Sequence, residues 1–164
     1  MMPSTIHVAM GQVAVSDDRE SVLSTLVGSC VALCLYDSRV KMAGMAHIML
    51  PESVEGKTSS NPLPARYADS ATEALLKAMH RRGSDMSKIR AKIAGGADLF
   101  HHETGTSLFT IGKRNAEATR RLLRERGVRL MAEDIGGDHG RRVEFVVETG
   151  ELIVATRRDG ERRL

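Results

Sequence analysis

Two apolar runs separated by a short polar segment occupy residues 30–51, CVALCLYDSRVKMAGMAHIMLP. The first run covers residues 30–36 and the second covers residues 42–50, with the polar segment 37–41 between them. Apolar runs of this length joined by a turn are typical of a β-hairpin. Because both faces of both runs are apolar or small, we expect the hairpin to lie inside a sheet that is covered on both sides.

The register of this hairpin decides whether Cys30 and His47 meet. A two-residue loop at 38–39 places Cys30 directly opposite His47, whereas a four-residue loop at 38–41 places Cys30 opposite Met49. In the second register His47 is the diagonal neighbour of Cys30, with β-carbons about 7–8 Å apart or less. Either even-length loop puts both side chains on one face of the hairpin, and an odd-length loop would put them on opposite faces.

A cysteine close to a histidine can act as a nucleophile with its base. A free thiol has a pKa of about 8.5 and is a weak nucleophile at neutral pH until a base or a cation activates it. Gly28 and Ser29 precede Cys30, and a turn at glycine can direct backbone N–H groups towards a developing oxyanion. From spacing alone a second interpretation stays open, in which Cys30 is a small buried hydrophobe and His47 is a core histidine bound to the backbone.

The second cysteine, Cys34, is predicted to pack in the core. Four residues of a strand span about 13 Å, and a disulfide needs α-carbons within about 7 Å. We therefore expect neither a Cys30–Cys34 disulfide nor a zinc ion shared by the two thiols.

The rest of the chain predicts further strands and two helices around the hairpin. Strands are expected at residues 6–10, 21–27, 89–94, 128–132, 142–147 and 151–156, helices at residues 66–82 and 113–126, and a surface loop at residues 52–65. The predicted fold class is α/β of the mixed α+β type, with a layered mixed β-sheet and at least two packed helices. The length predicts a single domain over residues 1–164, with short, less ordered ends.

Composition and charge exclude several classes of function. Of the 164 residues, 41% are hydrophobic and 27% are charged, as is usual for a folded globular chain. No apolar run approaches the roughly 20 residues that span a bilayer. The N-terminus lacks the pattern of a secretory signal, so the expected location is the cytoplasm. The net charge of +3 arises from an excess of basic residues in 113–164, but aromatic residues make up only 3% of the chain, which argues against nucleic-acid binding by base stacking.

Several motifs closely resemble those of the CheD family, the bacterial chemoreceptor glutamine deamidases. In chain order they are TLVGSCVALCLYD, GMAHIMLPES, RYADSA, AKIAGGADLF, IGKRNAEA and AEDIGGDHGRRVEF. The resemblance extends over most of the chain. It implies an α/β fold similar to that of the deamidating cytotoxic necrotizing factor toxins.

The resemblance also implies three catalytic side chains. Cys30 corresponds to the catalytic cysteine and His47 to the catalytic histidine. Family members usually carry a threonine six residues before the cysteine, and this chain has Ser24 at that position and Thr25 next to it. Because Ser24 and Thr25 would point to opposite faces of a strand, Ser24 is the residue predicted to orient His47.

The reaction that this resemblance implies is deamidation through a thioester. A Cys30 thiolate paired with protonated His47 would attack the side-chain carbonyl of a receptor glutamine. Backbone N–H groups around Gly28 and Ser29 would stabilise the oxyanion. The reaction needs neither a metal ion nor an organic cofactor.

The partners implied by the resemblance are methyl-accepting chemotaxis receptors and the CheC phosphatase, and the chain is expected to be a monomer without membrane insertion. Two alternatives to the deamidase stay open. One is a non-catalytic binding module that regulates CheC or the receptors by occupancy. The other is a receptor methylesterase that uses the same residues.

Overall fold

Ten strands in two sheets, together with two α-helices, make up the described part of the protein. The computed structural model describes residues 2–53, 63–99 and 110–164. The strands are β1 (Ser4–His7), β2 (Val13–Ser16), β3 (Ser21–Val27), β4 (Val31–Asp37), β5 (Met42–Ile48), β6 (Arg90–Gly95), β7 (Arg129–Ile135), β8 (Arg141–Val146), β9 (Leu152–Thr156) and β10 (Gly160–Arg163). The α-helices are α1 (Ala68–Arg81) and α2 (Ile111–Glu125), and a short 3₁₀ helix covers Met86–Lys88.

Each sheet has five strands and a mixed topology. The first sheet has the order β1-β3-β8-β9-β10, and the second has the order β2-β5-β4-β6-β7. β1 runs parallel to β3 and β6 runs parallel to β7, whereas the other neighbours are antiparallel. The predicted mixed α+β class is thus confirmed, although the strands divide into two sheets rather than one.

The second sheet lies between the two α-helices and the first sheet. The apolar cluster on its helix side includes Val31, Leu33, Ile48, Leu75, Met79 and Leu123. The cluster between the two sheets includes Leu23, Ala32, Cys34, Met45 and Phe145. Strand β4 pairs with β5 on one side and with β6 on the other, and both of its faces are buried. The prediction of a hairpin covered on both sides is therefore confirmed.

The β4–β5 hairpin has the four-residue loop of the second predicted register. Val31 pairs with Ile48, and Ala32 pairs with His47. Cys30 directly precedes β4, so this register makes His47 its diagonal neighbour rather than its direct partner. Cys30 and His47 consequently belong to the same face of the hairpin, the face that packs against the first sheet.

Helix α1 approaches the middle of β5 closely at Gly44. A Cβ atom at this position would lie 2.8 Å from Leu75 Cδ1 and 3.0 Å from Met79 Sδ. Only a residue without a side chain lets the helix lie this close to the strand. This packing covers the helix-facing side of β5, while His47 lies on the opposite face, between the two sheets, and every residue of β5 is buried.

The sequence-based elements agree with the structure except at three places. The predicted strand at 6–10 is wrong over its second half, because β1 ends at His7 and the chain turns at Gly11, where φ is +80°. Strands β2 and β10 were not predicted, because four-residue edge strands are too short to show a clear alternation.

Part of the predicted loop at 52–65, residues 54–62, lies outside the described residues, and so do residues 100–109. Neither α-helix of the described ranges is long and apolar enough to cross a membrane.

Candidate active site

His47 is held at the junction of the two sheets by a hydroxyl group from the opposite sheet. It lies near the end of β5 and is 3% exposed. The Oγ1 atom of Thr25, on β3 of the first sheet, is 2.8 Å from His47 Nδ1. The same hydroxyl donates a hydrogen bond of 2.7 Å to the carbonyl oxygen of Val8. The imidazole is therefore anchored through a side chain that is itself fixed to the backbone.

These two contacts define the tautomer of His47. The Thr25 hydroxyl carries one proton, and that proton is donated to the Val8 carbonyl. Thr25 Oγ1 must then accept from His47 Nδ1–H, which leaves the lone pair of a neutral imidazole on Nε2. Nε2 is buried and has no hydrogen-bond partner among the described residues. The ring thus presents an unused basic nitrogen, as a general base requires.

The structure corrects the predicted partner of His47, which is Thr25 and not Ser24. Thr25 is 1% exposed and points between the sheets, whereas Ser24 is half-buried and lies on the opposite face of β3. The alternation of side chains along a strand allows only one of two neighbours to face His47. Counting six residues back from Cys30 selected the wrong neighbour, because residues 28–30 lie outside β3 and β4 and the count therefore does not fix which face of β3 is turned to His47.

Cys30 lies at the start of β4 with its side chain partly exposed. It packs against the cluster between the two sheets, which also contains Ala32 and Cys34. His47, paired with Ala32, belongs to this same side of the hairpin. No hydrogen bond joins Cys30 Sγ to His47 Nε2. The two residues are therefore diagonal neighbours on one face of the hairpin, with no hydrogen bond between them.

Burial shifts the pKa values of both groups towards their neutral forms. Loss of hydration raises the pKa of the Cys30 thiol. Loss of hydration also lowers the pKa of His47, the nearby His7 lowers it further, and the Val8 carbonyl partly opposes this shift. Both directions favour a neutral thiol and a neutral imidazole at rest over the expected thiolate–imidazolium pair.

The loop that carries Cys30 is held by its carbonyl groups. The carbonyl of Gly28 accepts from the N–H of Ala97 at 2.9 Å, and that of Cys30 accepts from the N–H of Gly96 at 2.9 Å. The N–H groups of Ser29 and Cys30 have no acceptor among the described residues. A loop with satisfied carbonyls and unused N–H groups is suited to receive an anion.

Gly95 is required for this close approach of the two loops. Its φ is +119°, and a Cβ atom there would lie 2.2 Å from the carbonyl oxygen of Cys30. Any side chain at Gly95 would push the cysteine loop away. The glycine pair in the sequence AGGAD is thereby explained as a support for the cysteine loop.

Asn115 is a site residue that the sequence analysis missed. It lies on α2 and is completely buried. Its Nδ2 group donates to the carbonyl oxygen of Ser29 at 2.9 Å and to that of Met49 at 3.1 Å. Met49 follows β5 and Ser29 precedes Cys30, so one amide ties the cysteine loop to the end of the histidine strand. The motif IGKRNAEA contains this asparagine, but helical spacing alone does not show which distant residues a buried polar side chain will bind.

Cys34 differs from Cys30 in every respect that matters for chemistry. It is fully buried, and burial raises its pKa strongly. It belongs to the cluster between the sheets, so its predicted packing role is confirmed, and both cysteines are free. Within the described residues, no group of three or more His, Cys, Asp or Glu side chains could hold a metal ion.

A partly exposed cysteine beside a histidine that is oriented by a hydroxyl is the arrangement of enzymes with a cysteine nucleophile. Comparison with known proteins identifies the family. The family description "CheD chemotactic sensory transduction" matches residues 49–156. The chain belongs to the CheD family.

Relatives match over nearly their full length. A protein named probable chemoreceptor glutamine deamidase CheD from Archaeoglobus fulgidus is 45% identical over 161 residues, which are 98% of each chain. The chemoreceptor glutamine deamidase CheD of Halalkalibacterium halodurans is 39% identical over 99% of this chain and 100% of that protein. The protein of the same name from Thermotoga maritima is 39% identical over 94% of this chain and 93% of that protein.

Likeness to solved structures is weaker. The hypothetical protein YfiH of Bacillus licheniformis matches 76% of this chain and 51% of its own, with 16% identity and a TM-score of 0.48. YlmD of Geobacillus stearothermophilus matches 76% of this chain and 50% of its own, with 13% identity and a TM-score of 0.45. The chain thus spans about half the length of these two proteins, and likeness at this level carries no argument about function.

Proposed function

We propose that this chain is a protein-glutamine deamidase that converts glutamines of chemotaxis receptors into glutamates. The names of its relatives support the substrate class. The observation that carries the chemistry is the bond between Thr25 and His47 Nδ1, which leaves Nε2 free on a histidine that shares one face of the hairpin with Cys30. A histidine with only a packing role would satisfy its second nitrogen, because an unpaired buried polar atom costs about 1–3 kcal/mol.

The first step is attack by Cys30 on the side-chain carbonyl of the glutamine. Because both groups are neutral at rest, His47 Nε2 takes the thiol proton as the sulfur approaches the carbonyl carbon. A carbon–sulfur bond forms, and the carbonyl oxygen becomes an oxyanion. In this order of steps the thiolate forms only when the substrate is bound, and not in the free enzyme as the resemblance implied.

Backbone N–H groups of the cysteine loop stabilise the oxyanion. Those of Ser29 and Cys30 have no competing acceptor among the described residues, and the fixed carbonyls of the loop hold them in place. Such a donor is often worth about 3–4 kcal/mol of transition-state stabilisation. Gly28 contributes by leaving space and conformational freedom at the turn before Ser29.

The second step releases ammonia and then hydrolyses the thioester. Protonated His47 gives its proton to the departing nitrogen, the carbon–nitrogen bond breaks, and ammonia leaves. His47 then takes a proton from water, and the resulting hydroxide attacks the thioester carbon. The carbon–sulfur bond breaks, the thiol regains its proton, and the substrate leaves as glutamate.

Two residues orient this chemistry without reacting. Thr25 holds the Nδ1–H tautomer, so that the lone pair on Nε2 points away from the anchoring hydroxyl. Asn115 keeps the cysteine loop at a constant position relative to the end of β5. The enzyme acts in the cytoplasm as a monomer on the cytoplasmic part of the receptors, with the CheC phosphatase as a further partner.

Mass spectrometry of a receptor cytoplasmic fragment tests this proposal. The fragment is incubated with the unaltered protein, with Cys30→Ala and with the matched control Cys34→Ala. We expect a gain of about one dalton per converted glutamine, release of ammonia, and loss of both only with Cys30→Ala. Methanol release from a methylated receptor without ammonia would favour the methylesterase, and receptor binding without any conversion would favour the binding module.

A further inference from the structure

A groove opens on the surface directly beside the loop that carries Cys30. Its volume is about 900 Å³. It is formed by the ends of β3, β8 and β9 and by the segment after β6. The lining residues are Leu26, Val27, Gly28, Leu99, His139, Gly140, Arg141, Arg142, Ala155, Thr156, Arg157 and Arg158. We call it the basic groove.

The end of the basic groove near the active site is apolar. Leu26 is 65% exposed and Leu99 is 43% exposed. Both are large hydrophobic side chains in contact with solvent. Leu26 is the neighbour of Thr25. Leu99 covers Gly28, where a Cβ atom would lie 2.5 Å from Leu99 Cδ1. The apolar surface therefore reaches the cysteine loop itself.

The other end of the basic groove carries an excess of positive charge. None of the described residues that line it is acidic. Arg157 has no carboxylate partner among the described residues, and Arg158 contacts the His139 ring, with Arg158 Nη1 3.0 Å from His139 Nε2. The remaining basic side chains of the lining are already partnered. Arg141 pairs with Asp134 at 2.7 Å, Arg142 pairs with Glu144 at 3.3 Å, and His139 Nε2 lies 3.0 Å from Asp138.

We propose that the basic groove binds an acidic segment of the receptor substrate next to the target glutamine. An apolar side chain of that segment packs on Leu26 and Leu99, and its carboxylates meet Arg157 and Arg158. This inference rests on the proposed function, because it supplies the docking surface that delivers a glutamine to Cys30.

Charge complementarity selects this occupant over a nucleic acid. A single-stranded nucleic acid would need aromatic side chains for base stacking, and the described residues that line the groove include no Phe, Tyr or Trp. The apolar end matches a protein side chain, and Arg157 and Arg158, which pair with no carboxylate among the described residues, match the carboxylates of an acidic segment. Exposed arginines such as these mainly raise the association rate, and with it the affinity. Both effects should weaken as the salt concentration rises.

Binding is measured first, with the receptor cytoplasmic fragment and a protein carrying Cys30→Ala, so that turnover does not change the ligand. One variant adds Arg157→Glu and Arg158→Glu. The matched control adds Lys88→Glu and Arg129→Glu, which make the same charge change at the other end of the second sheet. At low salt we expect about tenfold or greater loss of affinity for the groove variant and less than twofold for the control.

Turnover is measured next, with Cys30 intact. We expect the groove variant to have a raised KM for receptor deamidation, while its Cys30 reacts with iodoacetamide as fast as in the unaltered protein. Unchanged affinity, or equal losses in the groove variant and the control, would overturn the groove proposal. Receptor binding that depends on the groove without any deamidation would instead retain the groove and contradict the proposed function.

Discussion

Cys30 and Cys34 lie four residues apart on the same side of one hairpin, yet their surroundings differ completely. Cys30 precedes the first residue of β4, is partly exposed, and lies on the face that contains the unpaired Nε2 of His47. Cys34 lies in the middle of β4 and is fully buried, and its cross-strand neighbour Lys92 only partly offsets the rise in pKa that burial causes. The difference shows that a position at the end of a strand, and not the residue type, makes a thiol available for chemistry.

The largest expected effect is the difference in thiol labelling between the two cysteines. With iodoacetamide under native conditions, we expect Cys30 to react at least about a thousand times faster than Cys34, because Cys34 becomes accessible only when the sheets separate. Peptide mass spectrometry over a time course measures both rates in one sample. Comparable rates would mean that the cluster between the sheets opens readily and would remove the basis of the comparison.

The pH dependence of labelling sharpens the comparison further. Because burial raises the pKa of the Cys30 thiol, the thiol keeps its proton to higher pH than a free cysteine. We therefore expect labelling of Cys30 to rise by about tenfold per pH unit from pH 6 up to its raised pKa. The Cys34→Ala variant isolates this rate. A plateau that is already reached near pH 6 would contradict the neutral pair and support a thiolate–imidazolium pair.

The next effect concerns the residue that orients the base beside Cys30. Thr25→Val removes the acceptor of His47 Nδ1–H while keeping the shape of the side chain, so we expect a loss of about 10–100-fold in kcat/KM for receptor deamidation. Ser24→Ala should change kcat/KM less than twofold, and Thr25→Ser should retain most of the activity. A larger loss for Ser24→Ala than for Thr25→Val would restore the prediction made from sequence.

A smaller effect is expected for the amide that fixes the cysteine loop. Asn115→Leu removes both hydrogen bonds to the carbonyls of Ser29 and Met49, and we expect about a tenfold loss, in kcat more than in KM. Thr119→Val is the matched control, since it removes one hydrogen bond one turn further along α2, from Thr119 to the Asn115 carbonyl. Equal losses in the two variants would assign Asn115 a role in stability alone.

The smallest expected effect is on the free energy of unfolding, and here the substitution of Cys34 should cost more than that of Cys30. Cys34→Ala leaves a cavity in the cluster between the sheets and should lower the free energy of unfolding by about 1–2 kcal/mol. Cys30→Ala removes a partly exposed side chain and should lower it by about 0.5 kcal/mol or less. Urea unfolding measures both values. A greater cost for Cys30→Ala would indicate that the cysteine loop contributes more to packing than its exposure suggests.

The hairpin could be anticipated because it is local, although the choice between its two-residue and four-residue loops stayed open. Strand alternation has a period of two residues, so an even loop at 38–41 put Cys30 and His47 on the same face whatever the rest of the chain did. The two helices were likewise predicted to within two residues of their ends, because their apolar stripes recur at the helical spacing. These features depend on residues that are close in the sequence.

The partner of His47 could not be anticipated in the same way. Thr25 and His47 belong to different sheets, and only the stacking of those sheets brings their side chains within 2.8 Å. Asn115 likewise reaches Ser29 across 86 positions of the chain. No periodicity within a strand or helix reports which face of another element lies opposite it.

The sequence by itself determined the family, the mixed class of the fold, and the two residues proposed to carry the chemistry. The tertiary structure decided which hydroxyl anchors the histidine, which amide fixes the cysteine loop, and which of the two thiols meets solvent. The physical reason is the range of the interactions. Side-chain alternation and helical spacing are set over a few residues, whereas contacts between sheets and loops exist only after distant segments have packed together.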